Sequence, residues 1–159
     1  VPDSLYDRDF YTWTQEQARL LRAKGELLPN DAVDWDRVAE EVEDMGKEVA
    51  RSAASAYARI LEHLLKLEHS PARDPRNTWR RSVRAQRTEL ERLLPDNPGL
   101  RPRLDELYAD AWRFARREAA AALVEEDGVD SATLPAECPY ARARAEDFDW
   151  FPPNRHGLS

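Results

Sequence analysis

The side chains best suited to chemistry in this sequence are arginines. Arg76, Arg80, Arg81, Arg84 and Arg87 lie in or beside the stretch NTWRRSVRAQRTELERLL. The planar guanidinium fork pairs with phosphate or carboxylate oxygens, so these five residues are predicted to form an anion- or partner-binding strip. At about 100° per residue, Arg80, Arg84 and Arg87 share a flank of the Trp79, Val83 and Leu90 stripe, whereas Arg81 and Arg92 point outward. Upstream, DAVDWDRVAEEVEDMGKE carries the opposite charge, and Glu40, Glu41, Glu43 and Asp44 are predicted to form an acidic surface. Three destinations for the arginines follow: nucleic acid or another phosphate, a protein partner, or the chain's own carboxylates. The formal net charge of -7 repels nucleic acid at long range, so binding there would need a local patch. No aromatic residue interleaves the outward arginines to stack bases, which counts against single-strand recognition.

Other reactive residue types do not assemble into a motif. His63 and His69 in EHLLKLEH are six positions apart, about 120° around a helix, and are poor joint ligands. There is no His-Glu-x-x-His and no Glu-x-x-His pair, so no metal ligand and no cofactor is assigned. His63 is expected to be partly buried with one hydrogen-bond partner, and His69 to point away from the apolar stripe. Cys138 in AECPYA has no neighbouring histidine in sequence to activate it, and no catalytic residue is assigned. Glu125, Glu126, Asp127 and Asp130 bracket Gly128 without a complete calcium-loop register and read as a solvated loop.

The elements that carry these residues are helices. With 159 residues, 42% apolar, 35% charged and only five glycines, the chain reads as one all-α domain over 1-159, a bundle of about four main helices with shorter terminal ones. The first long helix is predicted over Asp7 to Ala23, with Gly25 as its stop. A second starts after Asp34, where Val38, Val42, Met45, Val49, Ala53, Ala56, Ile60, Leu64 and Leu67 continue a heptad-like apolar series. Gly46 interrupts that series and marks a kink or a close helix contact. Leu61 and Leu65 give this helix a second apolar face. The arginine helix is expected to end at PDNPG, and a fourth helix to run from Leu100 to Glu125. A short one follows near Ala141 to Phe148.

Trp13, Trp35, Trp79 and Trp112 are expected to bury together. Phe148, Trp150 and Phe151 are expected to clamp back over the bundle, ahead of a frayed tail at 151-159. The amino-terminal stretch VPDSLYDRDFYTW reads as neither signal peptide nor membrane anchor, and the longest apolar run, Ala119 to Val124, is too short to span a bilayer. No membrane partner is expected, and one cysteine favours a reducing, cytoplasmic setting.

Several ordered stretches carry a resemblance: LYDRDFYTWTQEQARLLRAKG, DWDRVAEEVEDMGK, HLLKLEH followed by WRRSVRAQRTELERLL, PGLRPRLDELYADAWRFA and LPAECPYA. Together they resemble the bacterial family catalogued as domain of unknown function 29, over about residues 5-150. The resemblance implies a compact α-helical protein with no established activity, known mainly from cyanobacteria and proteobacteria, and no assigned site residues. The functional expectation is a non-enzymatic interaction domain that binds another protein or self-associates. The alternative is a phosphate or nucleic-acid binder working through the arginine helix 76-92. A third reading is a metal-dependent enzyme using helix carboxylates with His63.

Overall fold

The computed structural model describes residues 3-159; Val1 and Pro2, part of the predicted 1-159 domain and of the amino-terminal stretch, lie outside the described residues. The elements in order are α1 (Leu5–Arg8), α2 (Phe10–Leu27), α3 (Trp35–His69), α4 (Arg76–Asp96), α5 (Leu104–Asp127) and α6 (Arg142–Glu146). Short 3-10 turns occupy Pro98–Arg103 and Ser131–Thr133. Among the described residues there is no strand, as the all-α prediction requires.

Helix starts are written locally. Ser4 accepts from the Asp7 amide, Asp9 from Thr12 N at 3.2 Å, and Asp34 from Arg37 N at 3.1 Å. Each carboxylate or hydroxyl satisfies an amide that the first helical turn leaves unpaired. The predicted stop at Gly25 is corrected: α2 runs on to Leu27. Gly25 serves proximity instead, because a Cβ there would lie 2.6 Å from Trp35 Cβ. Gly46 likewise does not break α3, which is one helix of 35 residues. A Cβ at Gly46 would fall 2.2 Å from Thr14 Oγ1, so glycine is what lets α2 and α3 touch.

Chain contacts group into two compact units. One holds the described residues through Ser52 together with Arg92–Arg103; the other holds Ala53–Glu91 and Leu104–Ser159. In the first, α2 and the start of α3 form an antiparallel hairpin closed on small side chains: Ala18, Ala39, Gly46 and Ala50 are buried. Asn97 pins this unit, accepting from Tyr11 N at 3.0 Å and donating to Leu93 O at 2.9 Å. That second bond takes up a carbonyl near Pro95, which lies inside the last turn of α4 and lacks an N–H.

The second unit owns the large core. Tyr57, Ile60, Leu61, Leu64, Leu65 and Leu67 on α3 are fully enclosed, and α5 adds Leu104, Leu107, Tyr108, Trp112 and Leu123. Two apolar faces on one helix mean burial from two sides, and Leu61 and Leu65 are both at 0% exposure.

The joint burial expected for the tryptophans is corrected. Only Trp112 is fully buried, with its indole N–H donating to Ala136 O at 3.1 Å. Trp13 stacks on Phe10 and meets the edge of Tyr6, Trp35 donates to Asp31, and Trp79 lies beneath the Lys66 ammonium. Indoles with a polar handle settle at the margin of a core built of leucine and alanine.

The frayed tail is also corrected. Asn154 Nδ2 donates to Leu67 O and Ser70 O at 2.8 and 2.9 Å, Arg155 N donates to Glu68 O at 2.8 Å, and Arg76 Nε donates to Ser159 O at 3.2 Å. The carboxy-terminal residues satisfy carbonyls that the end of α3 leaves without helical partners.

Candidate functional site

The five predicted arginines do not converge on an open surface. Arg87 is 1% exposed and aims its fork at the chain's own carboxy-terminal segment. Its Nε donates to Ala145 O at 2.7 Å, Nη1 to Phe148 O at 3.1 Å, and Nη2 to Arg144 O and Trp150 O at 3.3 and 2.8 Å. Burial lowers its pKa to about 10, which leaves it charged at neutral pH. Arg76 is 4% exposed and donates to Leu67 O at 2.8 Å. Arg84 lies over Phe148 and Phe151, with guanidinium carbon to ring centre 5.5 and 5.1 Å, and Arg80 lies over Phe151. Arg81 alone among the five is exposed. The arrangement is a clamp: aromatic rings and backbone carbonyls of residues 144-151 fasten onto one flank of α4. A phosphate strip using all five residues is therefore corrected, because two of the forks are spent internally. Sequence alone could place Arg80, Arg84 and Arg87 on one flank, but not the segment that would return to meet them.

The predicted acidic residues draw their ion pairs from nearby cations rather than from these arginines. Arg22 meets Glu43 at 2.9 Å, Arg37 meets Glu40 at 2.6 Å, and Lys47 meets Asp44 at 3.3 Å. The hydrogen bond from Arg22 holds the Glu43 carboxyl below its usual range. Glu41 is exposed. Pairs this accessible contribute about 0 to 1 kcal/mol each and orient side chains more than they stabilise the fold.

The acidic helix nevertheless carries a feature that its charge pattern concealed. Measured from the buried positions at about 100° per residue, Arg22 and Glu43 turn to one side of the α2–α3 hairpin. Leu21 on α2 and Val38, Val42, Met45 and Val49 on α3 turn to the other, while Leu20 points away from the seam. Leu20, Val38 and Met45 are 44%, 40% and 45% exposed. The heptad-like series read as a single buried stripe is thus split: its small-residue edge makes the hairpin contact and its large-residue edge faces solvent. The signal available in sequence was the parallel series Ala39, Gly46 and Ala50, a seam narrow enough for close approach. At the turn of the hairpin, a cavity of about 470 Å3 is lined by Leu28, Pro29, Val33 and Trp35 together with Glu26, Asp31, Asp34 and Asp36.

The histidines depart from expectation. His69, predicted to point outward, is 4% exposed, because Arg155 and His156 close over the end of α3. His63 is 8% exposed and its Nδ1 is buried without a hydrogen-bond partner. Among the described residues no group of three or more His, Cys, Asp or Glu side chains could hold a metal ion, so the pocket needed by a metal enzyme built on His63 is not formed by them.

Burial pushes the His63 pKa down to about 4, against a partial opposing effect of Glu62. The unfolded chain, with a pKa near 6.5, takes up this proton first as pH falls. The stability from a neutral His63 is therefore present above about pH 6.5 and lost towards pH 4, by roughly 2 kcal/mol. Burial lowers the His69 pKa in the same direction. Urea midpoints at pH 7 and pH 4.5 should differ accordingly, and His63→Leu should shrink the difference; an unchanged difference would refute the assignment.

These features define the class: an all-α protein with an internally committed arginine helix and an exposed apolar hairpin face. The chain belongs to the family described as Domain of unknown function DUF29, whose profile matches residues 5–151. It is similar to a crystal structure of an α-helical protein of unknown function from Rhodospirillum rubrum, at 32% identity, covering 92% of each chain with a TM-score of 0.75. No curated protein matches. No helix of the described residues is long and apolar enough to cross a membrane.

Proposed function

We propose that this protein is a non-enzymatic interaction domain whose binding surface is the apolar face of the α2–α3 hairpin. The observation that carries this reading is the exposure of Val38 and Met45, in one row with the half-buried Val42 and Val49, on one side of α3 in the hairpin. A helix pair closed on small residues buries little of its own apolar surface, and a row of large side chains at helical spacing beside that seam is suited to a further helix. The exposed rings elsewhere have company: Phe114 has the Arg117 guanidinium over it at 5.6 Å, Phe148 has that of Arg84 at 5.5 Å, and Tyr6 meets Phe10 and Trp13. Under this reading the arginine helix fastens the carboxy-terminal segment and keeps the rest of the domain rigid. A cytoplasmic setting belongs to the same reading, supported by the single free cysteine.

The test is site-specific photo-cross-linking in the native host. A photoreactive residue at position 45 is expected to give adducts that disappear with Val38→Glu, whereas one at position 81 gives none. Adducts from position 81 with none from position 45 would overturn the proposal.

A further inference from the structure

We infer that two copies of this chain associate through a second surface, the furrow between α3 and α5, with Phe114 of each copy seated in the hollow of the other. The inference goes beyond the reading above and uses none of the residues of the α2–α3 face. Phe114 is 59% exposed, the most exposed ring among the described residues, and Arg117 lies over only one of its faces. Beside it a cavity of about 340 Å3 opens between the two helices, where Ser55 and Ala58 of α3 and Ala115 of α5 supply short side chains. A projecting ring and a hollow of short side chains on one patch complement each other, so a two-fold pairing uses both of them twice.

Direction and charge point to a second copy as the occupant. Tyr57 meets Tyr108, and Ser70 donates to Asp127 at 2.7 Å, so α3 and α5 run the same way along the furrow. A two-fold axis along the furrow therefore sets α3 of one copy over α5 of the other. Phe114 then comes against Ser55 and Ala58 of the second copy, and Arg59 against its Glu118. Both of those charges are available. Arg59 reaches Glu62 only at 3.9 Å and Glu118 reaches Arg117 only at 3.5 Å, and the two side chains are 56% and 61% exposed. Glu62, which also lines the hollow, is already held by Lys66 at 3.0 Å. In a chain of net charge -7, this is a patch where Arg59 and Arg117 balance Glu62 and Glu118, so a copy brings charges that match its own.

The test is sedimentation velocity of the full chain from about 5 to 100 μM, where a monomer–dimer equilibrium with Kd of about 10 μM or tighter is expected. Phe114→Glu should leave a monomer throughout that range. Arg59→Glu and Glu118→Arg should each weaken the dimer at least about tenfold, by setting like charge against like. The chain carrying both changes should return to within about threefold of the original, because the pair is then reversed rather than lost. All three positions are exposed, and circular dichroism checks that the variants stay folded. A monomer at about 100 μM would overturn the inference. So would a dimer indifferent to Phe114→Glu but dissociated by Met45→Asp, which would place the contact on the α2–α3 face. A double variant no tighter than the single ones would overturn the pairing of α3 over α5. Cross-linking from position 45 should be unchanged by Phe114→Glu, so failure of this surface and failure of the other are told apart.

Discussion

Arg87→Met is expected to lower the unfolding free energy by about 4 kcal/mol, the largest single-residue effect we anticipate. Methionine nearly fills the volume but donates nothing, so the carbonyls of Arg144, Ala145, Phe148 and Trp150 lose their shared donor at once. A charged donor to a carbonyl is worth roughly 1.5 to 3 kcal/mol, and a buried carbonyl left bare costs roughly 1 to 3 kcal/mol. Those at the outer end of the segment will find water, which keeps the total well below the simple sum. The Phe151 ring, 5.0 Å from the guanidinium, loses its cation as well. Arg87→Lys should recover little, because its three donors radiate from one nitrogen and cannot span the four acceptors. Urea unfolding of the two variants decides the matter: a loss under about 1 kcal/mol for methionine would mean that the clamp is dispensable.

Gly46→Val should cost a similar amount, about 4 kcal/mol, by forcing apart a contact that has no room. The Cβ alone would lie 2.2 Å from Thr14 Oγ1 and 3.3 Å from Thr14 Cβ. Thr14 is at 0% exposure with its hydroxyl bonded to Tyr11 O at 2.7 Å, so it cannot swing aside without breaking that bond. Gly46→Ala tests the same point with opposing terms. Alanine favours a helix interior by about 1 kcal/mol over glycine. The steric cost should win, for a net loss of about 2 kcal/mol. Adding Thr14→Ala removes the clashing oxygen, and the double variant should regain at least about 1 kcal/mol relative to the sum of the single changes. Strict additivity would show that the two helices do not depend on this contact.

The sequence by itself determined the all-α class, the number of long helices and most of their starts, because apolar periodicity and capping carboxylates act within a few residues. Asp34 heads α3 for a reason visible in its neighbours alone. The family, too, was legible in the ordered motifs. Tertiary structure decided what the chemistry-bearing residues do. Whether Gly25 and Gly46 stop helices or admit neighbours depends on Trp35 and Thr14, which sequence distance does not bring near. Arg87 looked like a surface anion binder until residues 144-151 folded back to supply four carbonyls, and the expected frayed tail became the cap of α3 by the same return of the chain. Val38 and Met45 read as core because a helical period shows only that a face is apolar. Which neighbour covers it is a property of packing, and here the hairpin closed on its smaller residues and left those two side chains in solvent.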